Sequence, residues 1–222
     1  MLREHAIEAL PIVRATLDSL LEWMPSAGRE GADLRARANL LKADAPHLLQ
    51  QDKLGPPMAQ CFDIALQGGL TLWQAERVRQ VTDGFKPVLV GAKVIKHSLI
   101  QLALVTQSQI IANKPFRSRK DVEDILVMVN ASFSSVAEAV ADEMDAMTYR
   151  AIIALHAALT FLLIEFARPL PQMMAYRFNQ PMTTLTLAHR LYADASRADE
   201  LRYENRIVHP AFARRDGIAL SA

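Results

Sequence analysis

Few residues in this 222-residue chain are of a type and spacing that could do chemistry. Asp142, Glu143 and Asp145 place three carboxylates close together, which could serve acid–base work or hold a cation. They fall at a junction between two expected helices, where a solvated acidic turn is the ordinary outcome. His156 and Thr160 are four residues apart in an apolar segment, on one helix face, and are expected to share a buried hydrogen bond. The histidines at 5, 47, 97, 156, 189 and 209 show no metal-ligand spacing. Cys61 is the only cysteine, so neither an intrachain disulfide nor a thiolate cluster can form, as suits a reducing cytoplasm. No phosphate loop, nucleophile elbow or dinucleotide fingerprint occurs. The expectation is a non-enzyme with no cofactor and no metal.

Composition and charge narrow the class further. Hydrophobic residues make up 51 % and charged residues 22 %, which describes an ordered globular chain. The net charge of +1 creates no global field for nucleic acid. From Arg168 onward eight basic residues face five acidic ones, so this part carries +3 and the preceding part −2. Arg177, Arg190, Arg197, Arg202, Arg206, Arg214 and Arg215 could form a basic face, but Asp194, Asp199, Glu200, Glu204 and Asp216 interleave with them and blunt any phosphate-tracking surface. The longest apolar stretch, Ala151–Ile164, has 14 residues. That is short for a bilayer, and it is expected to be a core helix buried on every side. No signal peptide or transmembrane segment is expected.

The elements that must position these residues are mainly helical. Apolar spacing predicts helices over 2–25, 31–43, a short piece at 45–52, and then 57–67, 71–83 and 88–112. Pro11 is expected to kink the first helix or mark its start, and Ser26-Ala27-Gly28 to end it. Thr71 is a candidate N-cap, and Ser118 with Asp121 resembles a capping arrangement. In the helix at 88–112, Val94, Ile95, Leu99, Leu102 and Ile110 are core candidates. Over 119–144, Val122, Ile125, Val129, Phe133, Val136, Val140 and Met144 repeat every three or four residues, the strongest helical signal in the chain. A further helix at 146–167 should lie antiparallel to it, giving a bundle or long hairpin.

Composition changes at Arg168-Pro169-Leu170-Pro171, so the chain divides into an all-helical domain, 1–167, and a small α+β module, 168–222. The module is expected to run strand (Met173–Phe178), helix (about 183–193), helix (about 197–205), strand (about Ile218–Leu220). Leu187, Leu191, Tyr192 and Leu201 supply its core, Asn205 ends the second helix, and Gly217 permits the turn into the closing strand.

This β-α-α-β order is similar to a LysM module. The wording of the segment narrows the match: Ala188-His189-Arg190-Leu191-Tyr192-Ala193-Asp194-Ala195-Ser196-Arg197-Ala198-Asp199-Glu200-Leu201, then Asn205-Arg206-Ile207 and His209-Pro210, resembles the C-terminal end of the Mu-like phage DNA circularisation proteins. The close resemblance covers about 168–222, and the mostly β N-terminal domain usual in that family has no counterpart here. The resemblance implies a structural component of a contractile phage tail baseplate, made in the host bacterial cytoplasm and carried in the virion. It also implies a six-fold homo-oligomeric ring touching hub, wedge, tube or sheath-initiator proteins, with no membrane partner. The module would dock to a neighbouring tail protein near Tyr192, Arg197, Asn205 and His209, and deleting 168–222 should abolish incorporation while leaving a folded helical fragment. Sugar-binding LysM modules carry a Gly-Asp-Thr turn after the first strand. Asn179-Gln180-Pro181-Met182-Thr183 departs from it, which shifts the expected ligand from peptidoglycan to protein. DNA binding at genome ends and peptidoglycan binding are the alternative readings.

Overall fold

The computed structural model describes residues 1–23, 28–142 and 145–221. It is mostly helical, with one small two-stranded antiparallel sheet. The chain forms two compact units: Met1–Lys114 with Asn130–Leu159, and Pro115–Val129 with Thr160–Ala222. The cuts fall inside two long helices, which contribute to both units.

The first unit is built on α1 (Arg3–Glu22), α2 (Arg29–Gln50), α3 (Gly55–Gln67), α4 (Leu72–Asp83) and α5 (Val90–Ala112). Two of these helices run through prolines, Pro11 in α1 and Pro46 in α2. In α1 the buried stripe Ala6, Ala9, Val13, Leu17 and Leu20 continues past Pro11, so the helix starts well before it. The carbonyl that Pro11 leaves without its helical donor belongs to Ile7, which is 62 % exposed, so water can satisfy it. In α2 the two pieces expected at 31–43 and 45–52 are one helix. Leu34, Ala38, Leu41, Ala45 and Leu49 form a buried stripe across Pro46, and that continuous burial outweighs the lost hydrogen bond. The expected end at 26–27 lies outside the described residues.

Helix ends follow local and remote chemistry. Thr71 caps α4 in a full capping box: its hydroxyl accepts from Gln74 N–H, and the Gln74 side chain accepts from Thr71 N–H. No such residue precedes α5. There the Glu8 carboxylate, from α1, accepts the N–H groups of Val88 and Leu89 at 2.7 and 2.8 Å. Those two bonds hold its carboxyl below the usual range. Of the α5 core candidates, Leu99 is buried, Ile95, Leu102 and Ile110 are partly so, and Val94 is exposed; the buried face instead uses Ala92, Ala103, Leu104 and Ile111.

A polar knot sits within this unit. Glu76 accepts hydrogen bonds from Arg79 Nε and Nη2 at 2.9 and 2.8 Å, from Gln80 and Gln107 at 3.0 Å, and from Ser132 at 3.3 Å. Burial alone would raise its carboxyl; the Arg79 bonds and charge, helped by Gln80 and Gln107, reverse that and hold it below the ordinary value. One carboxylate thereby ties α5 and the second half of α6 (Arg119–Asp142) to α4.

α6 matches its expected seam, with Val122, Val129, Phe133, Val136 and Val140 buried and Ile125 intermediate; Met144 lies outside the described residues. Its start is a reciprocal cap: Asp121 N–H donates to Ser118 Oγ, and the Asp121 carboxylate accepts Ser118 N–H. α7 (Ala146–Ala167) begins at Asp145, whose carboxylate accepts Thr148 N–H at 3.1 Å. Asp145 is thus a helix cap, and Glu143, beside Asp142, lies outside the described residues. His156 does not pair with Thr160 along the helix. Its Nε2 lies 2.8 Å from Asn130 Oδ1 and its ring stacks on Phe133, because α6 offers a closer acceptor than its own next turn.

The expectation for Ala151–Ile164 needs correction. The helix is 22 residues long, and in its apolar middle only Ile152, Leu159 and Leu163 are buried. Those three define one narrow stripe, so the segment is not enclosed on all sides. By length and composition alone, α6 and α7 are both long and apolar enough to cross a membrane.

The second unit contains the small module. After the first part of α6 and the last turns of α7 come β1 (Met173–Arg177), α8 (Thr184–Tyr192), a 3₁₀ turn (Ala195–Arg197), α9 (Ala198–Glu204) and β2 (Asp216–Leu220). β1 and β2 pair antiparallel from Met173↔Leu220 to Arg177↔Asp216. Tyr176, Leu187, Ala188, Ala198, Leu201, Ala213 and Ala219 form the core between sheet and helices. Within this unit the Arg119 side chain donates to the Leu170 carbonyl, and Arg119 N–H donates to that of Pro171. The unit is therefore larger than residues 168–222.

Candidate docking surface

The four residues expected to dock a partner occupy different environments. Tyr192 ends α8, where Ala193 adopts a left-handed conformation at φ 57° and turns the chain into the 3₁₀ segment. Asp194 caps that segment by accepting Ser196 N–H at 2.8 Å. This turn lays the Arg197 guanidinium over the Tyr192 ring, 3.7 Å from its centroid. Arg197 also forms a two-pronged bond to Glu200, at 2.8 and 3.1 Å. Burial, with the Glu200 carboxylate adding to it, pushes the Tyr192 phenol up to about 12.

Asn205 is half-buried, and its side-chain amide is committed to bonds within the fold. Its Nδ2 donates to the carbonyls of Leu201 and Ile218 at 3.0 and 2.7 Å, and its Oδ1 accepts Ile218 N–H at 2.8 Å. The amide thus behaves as one more rung of ladder on the outer edge of β2. Gly217 makes this approach possible: a Cβ there would overlap both Asn205 Oδ1 and the Tyr176 hydroxyl. His209 lies in the loop between α9 and β2, where its Nδ1 accepts Ala211 N–H and its ring packs on Phe212. The structure therefore brings Tyr192 and Arg197 together, ties Asn205 to β2, and leaves His209 exposed beside Phe212.

The loop around His209 carries apolar surface outside the four residues expected to dock. Val208 is 94 % exposed and Phe212 75 %, while Tyr203 on α9 is 65 % exposed. A module with so small a core gains nothing from leaving two large apolar side chains in water on one loop. Their exposure could have been suspected from position: both lie outside the helical and strand periodicities, in a stretch broken by Pro210. Tyr203 is also covered by Arg117, whose guanidinium lies 4.6 Å from the ring centroid. Arg117, Arg197, Glu200, Tyr203 and Glu204 line an open groove of about 570 Å³. Burial, then the nearby carboxylates of Asp121 and Glu200, raises the Glu204 carboxyl.

Chemically, this surface offers recognition. The groove presents the Arg197–Glu200 pair and the Tyr203 ring under Arg117; the loop presents hydrophobic anchors. Among the described residues, no group of three His, Cys, Asp or Glu side chains converges as a metal site. Of the seven arginines of the expected basic face, two are paired with carboxylates: Arg197 with Glu200 and Arg202 with Asp199. No protein-family model matches the chain, and no curated protein matches it.

Proposed function

We propose that this protein is a structural component of a contractile phage tail baseplate and docks to a neighbouring tail protein through its C-terminal LysM-like module. The observation that carries the reading is the β-α-α-β order of residues 173–220 joined to a loop whose Val208 and Phe212 side chains stand in solvent. The resemblance of 168–222 to the Mu-like DNA circularisation proteins supplies the particle. The exposed apolar pair supplies the mode of contact, since anchors of this kind concentrate binding energy in protein interfaces. The partners are hub, wedge, tube or sheath-initiator proteins. The turn Asn179–Thr183, without Gly-Asp-Thr, favours a protein ligand over a cell-wall sugar, and the carboxylate-paired arginines weaken the case for DNA.

Within this reading Tyr192, Arg197 and Asn205 shape the module, and Val208, His209 and Phe212 meet the partner. Immunogold labelling of purified particles tests the assignment: label confined to the baseplate end of the tail is expected. Its absence from particles, with the protein remaining in the cytoplasm of the producing cell, refutes it.

A further inference from the structure

We propose that Arg206 is held out to receive a carboxylate of the docking partner, whose adjoining apolar side chain lies against Val208 and Tyr203. The inference rests on the docking role proposed for the module and adds the chemistry of what docks. α9 ends in a tight turn in which Arg206 N–H donates to the Tyr203 carbonyl at 3.2 Å and Ile207 N–H to that of Arg202 at 2.9 Å. The turn needs a left-handed residue, and Arg206 supplies it at φ 50°. Glycine takes this conformation freely, whereas a Cβ is strained in it. The corresponding turn after α3 uses Gly69, and the one after α2 uses Asp52, a short polar residue of the kind that tolerates it. Ala193, after α8, has no functional group to satisfy. Among the described residues, Arg206 alone carries a long charged side chain into the left-handed region. That side chain is exposed and makes no hydrogen bond or ion pair with the described residues, so nothing inside the fold uses it. Strain kept at a residue without an internal role points to a role outside the chain.

The surroundings of Arg206 identify the ligand chemistry. Arg202, Tyr203, Glu204, Arg206, Ile207 and Val208 line an open groove of about 490 Å³, all within the second unit. Arg202 is bonded to Asp199 at 2.9 Å, and Glu204 feels the charge of Arg117. Arg206 is therefore the cation of this groove that lacks a counter-ion. Its guanidinium presents paired N–H donors that match the two oxygens of a carboxylate. The exposed Val208 and Tyr203 border the same groove. An ion pair formed beside them would be shielded from water by the apolar contact, where it is stronger than in open solvent. Nucleic acid fits less well, because the Glu204 carboxylate lines the same groove and a phosphate track needs a run of cations.

Incorporation into purified tail particles, together with hydrogen exchange of the free protein, tests the proposal. Arg206→Gly should relieve the strain and raise protection at Leu201 and Ile207 on the order of threefold, while its amount in particles falls. Arg206→Glu should reduce incorporation on the order of tenfold, and Arg206→Lys, which keeps the charge, should retain most of it. In particles carrying Arg206→Lys, a water-soluble carbodiimide should couple position 206 to an Asp or Glu of another tail protein. Wild-type protein missing from particles refutes the docking reading and this inference with it. With wild type present, Arg206→Glu at the wild-type level refutes this inference alone. Lower protection in Arg206→Gly also refutes it, by giving the side chain a role inside the fold. So does a cross-link confined to the chain itself or absent, or a labelled DNA duplex bound by the wild type and released by Arg206→Glu.

Discussion

Replacing Asn205 with Ala separates its two possible roles, architectural clamp and docking contact. The side chain makes three hydrogen bonds, at 2.7, 2.8 and 3.0 Å, all to backbone groups of Leu201 and Ile218. A net value of about 1 kcal/mol for each gives an upper figure near 3. Ile218 sits on the outer edge of β2, where water can replace part of the loss, which brings the estimate to about 2 kcal/mol. In hydrogen-exchange terms this is a roughly thirty-fold loss of protection at Ile218 and Leu187, if those amides exchange when the module opens. Trp23 and Trp73, packed edge to face at 5.0 Å, both belong to the first unit and report its unfolding separately. Denaturation followed by tryptophan fluorescence should not shift. Asn205→Asp keeps the acceptor for Ile218 N–H but loses both donated bonds, so it should fall between. Unchanged protection at Ile218 in Asn205→Ala would show that the clamp contributes nothing and return Asn205 to the docking surface.

Other expected outcomes follow from the same geometry. Gly217→Ala forces a methyl group into Asn205 and Tyr176 and should cost about 1–3 kcal/mol in the same exchange experiment. Thr71→Ala removes one arm of a capping box and should lower the tryptophan-reported stability by about 1 kcal/mol. Glu76→Gln leaves Arg79 without its main counter-charge and should cost roughly 2 kcal/mol at neutral pH. Because the folded-state pKa of Glu76 lies below its ordinary value of 4.5, its contribution is complete above that pH and is lost as pH falls through the folded value. Acid denaturation curves of wild type and Glu76→Gln should therefore converge below about pH 4.5; a constant gap would contradict the assignment.

What the sequence made legible was local. The Thr71 and Ser118–Asp121 caps, the apolar seam of α6 and the order of elements after Arg168 each depend on neighbours within a few residues. What stayed hidden depends on partners far along the chain. Glu8 caps α5 from eighty residues away, and Glu76 gathers Gln107 and Ser132. Pro11 looked like a kink or a start because a single missing hydrogen bond is visible in sequence, whereas the buried stripe that outweighs it depends on the packing. Asn205 was read as a helix end and a docking contact. Its bonds to Ile218 could be suspected only by noticing that Gly217 stands where an edge strand would ordinarily carry a side chain. The length and apolarity of α7 were plain, and its exposure was not, since a sequence does not say which neighbours are present.

The same limit applies to deleting residues 168–222. Arg119 would lose its bonds to Leu170 and Pro171, so the remaining fragment would not keep an intact second unit. Point changes on the exposed loop avoid this. The most direct measurement is the amount of a Val208→Asp, Phe212→Asp double variant in purified tail particles, alongside its thermal unfolding. Both side chains are exposed, so stability should move by less than about 0.5 kcal/mol. The account predicts a folded protein missing from the particle; a folded double variant incorporated at the wild-type level would contradict it.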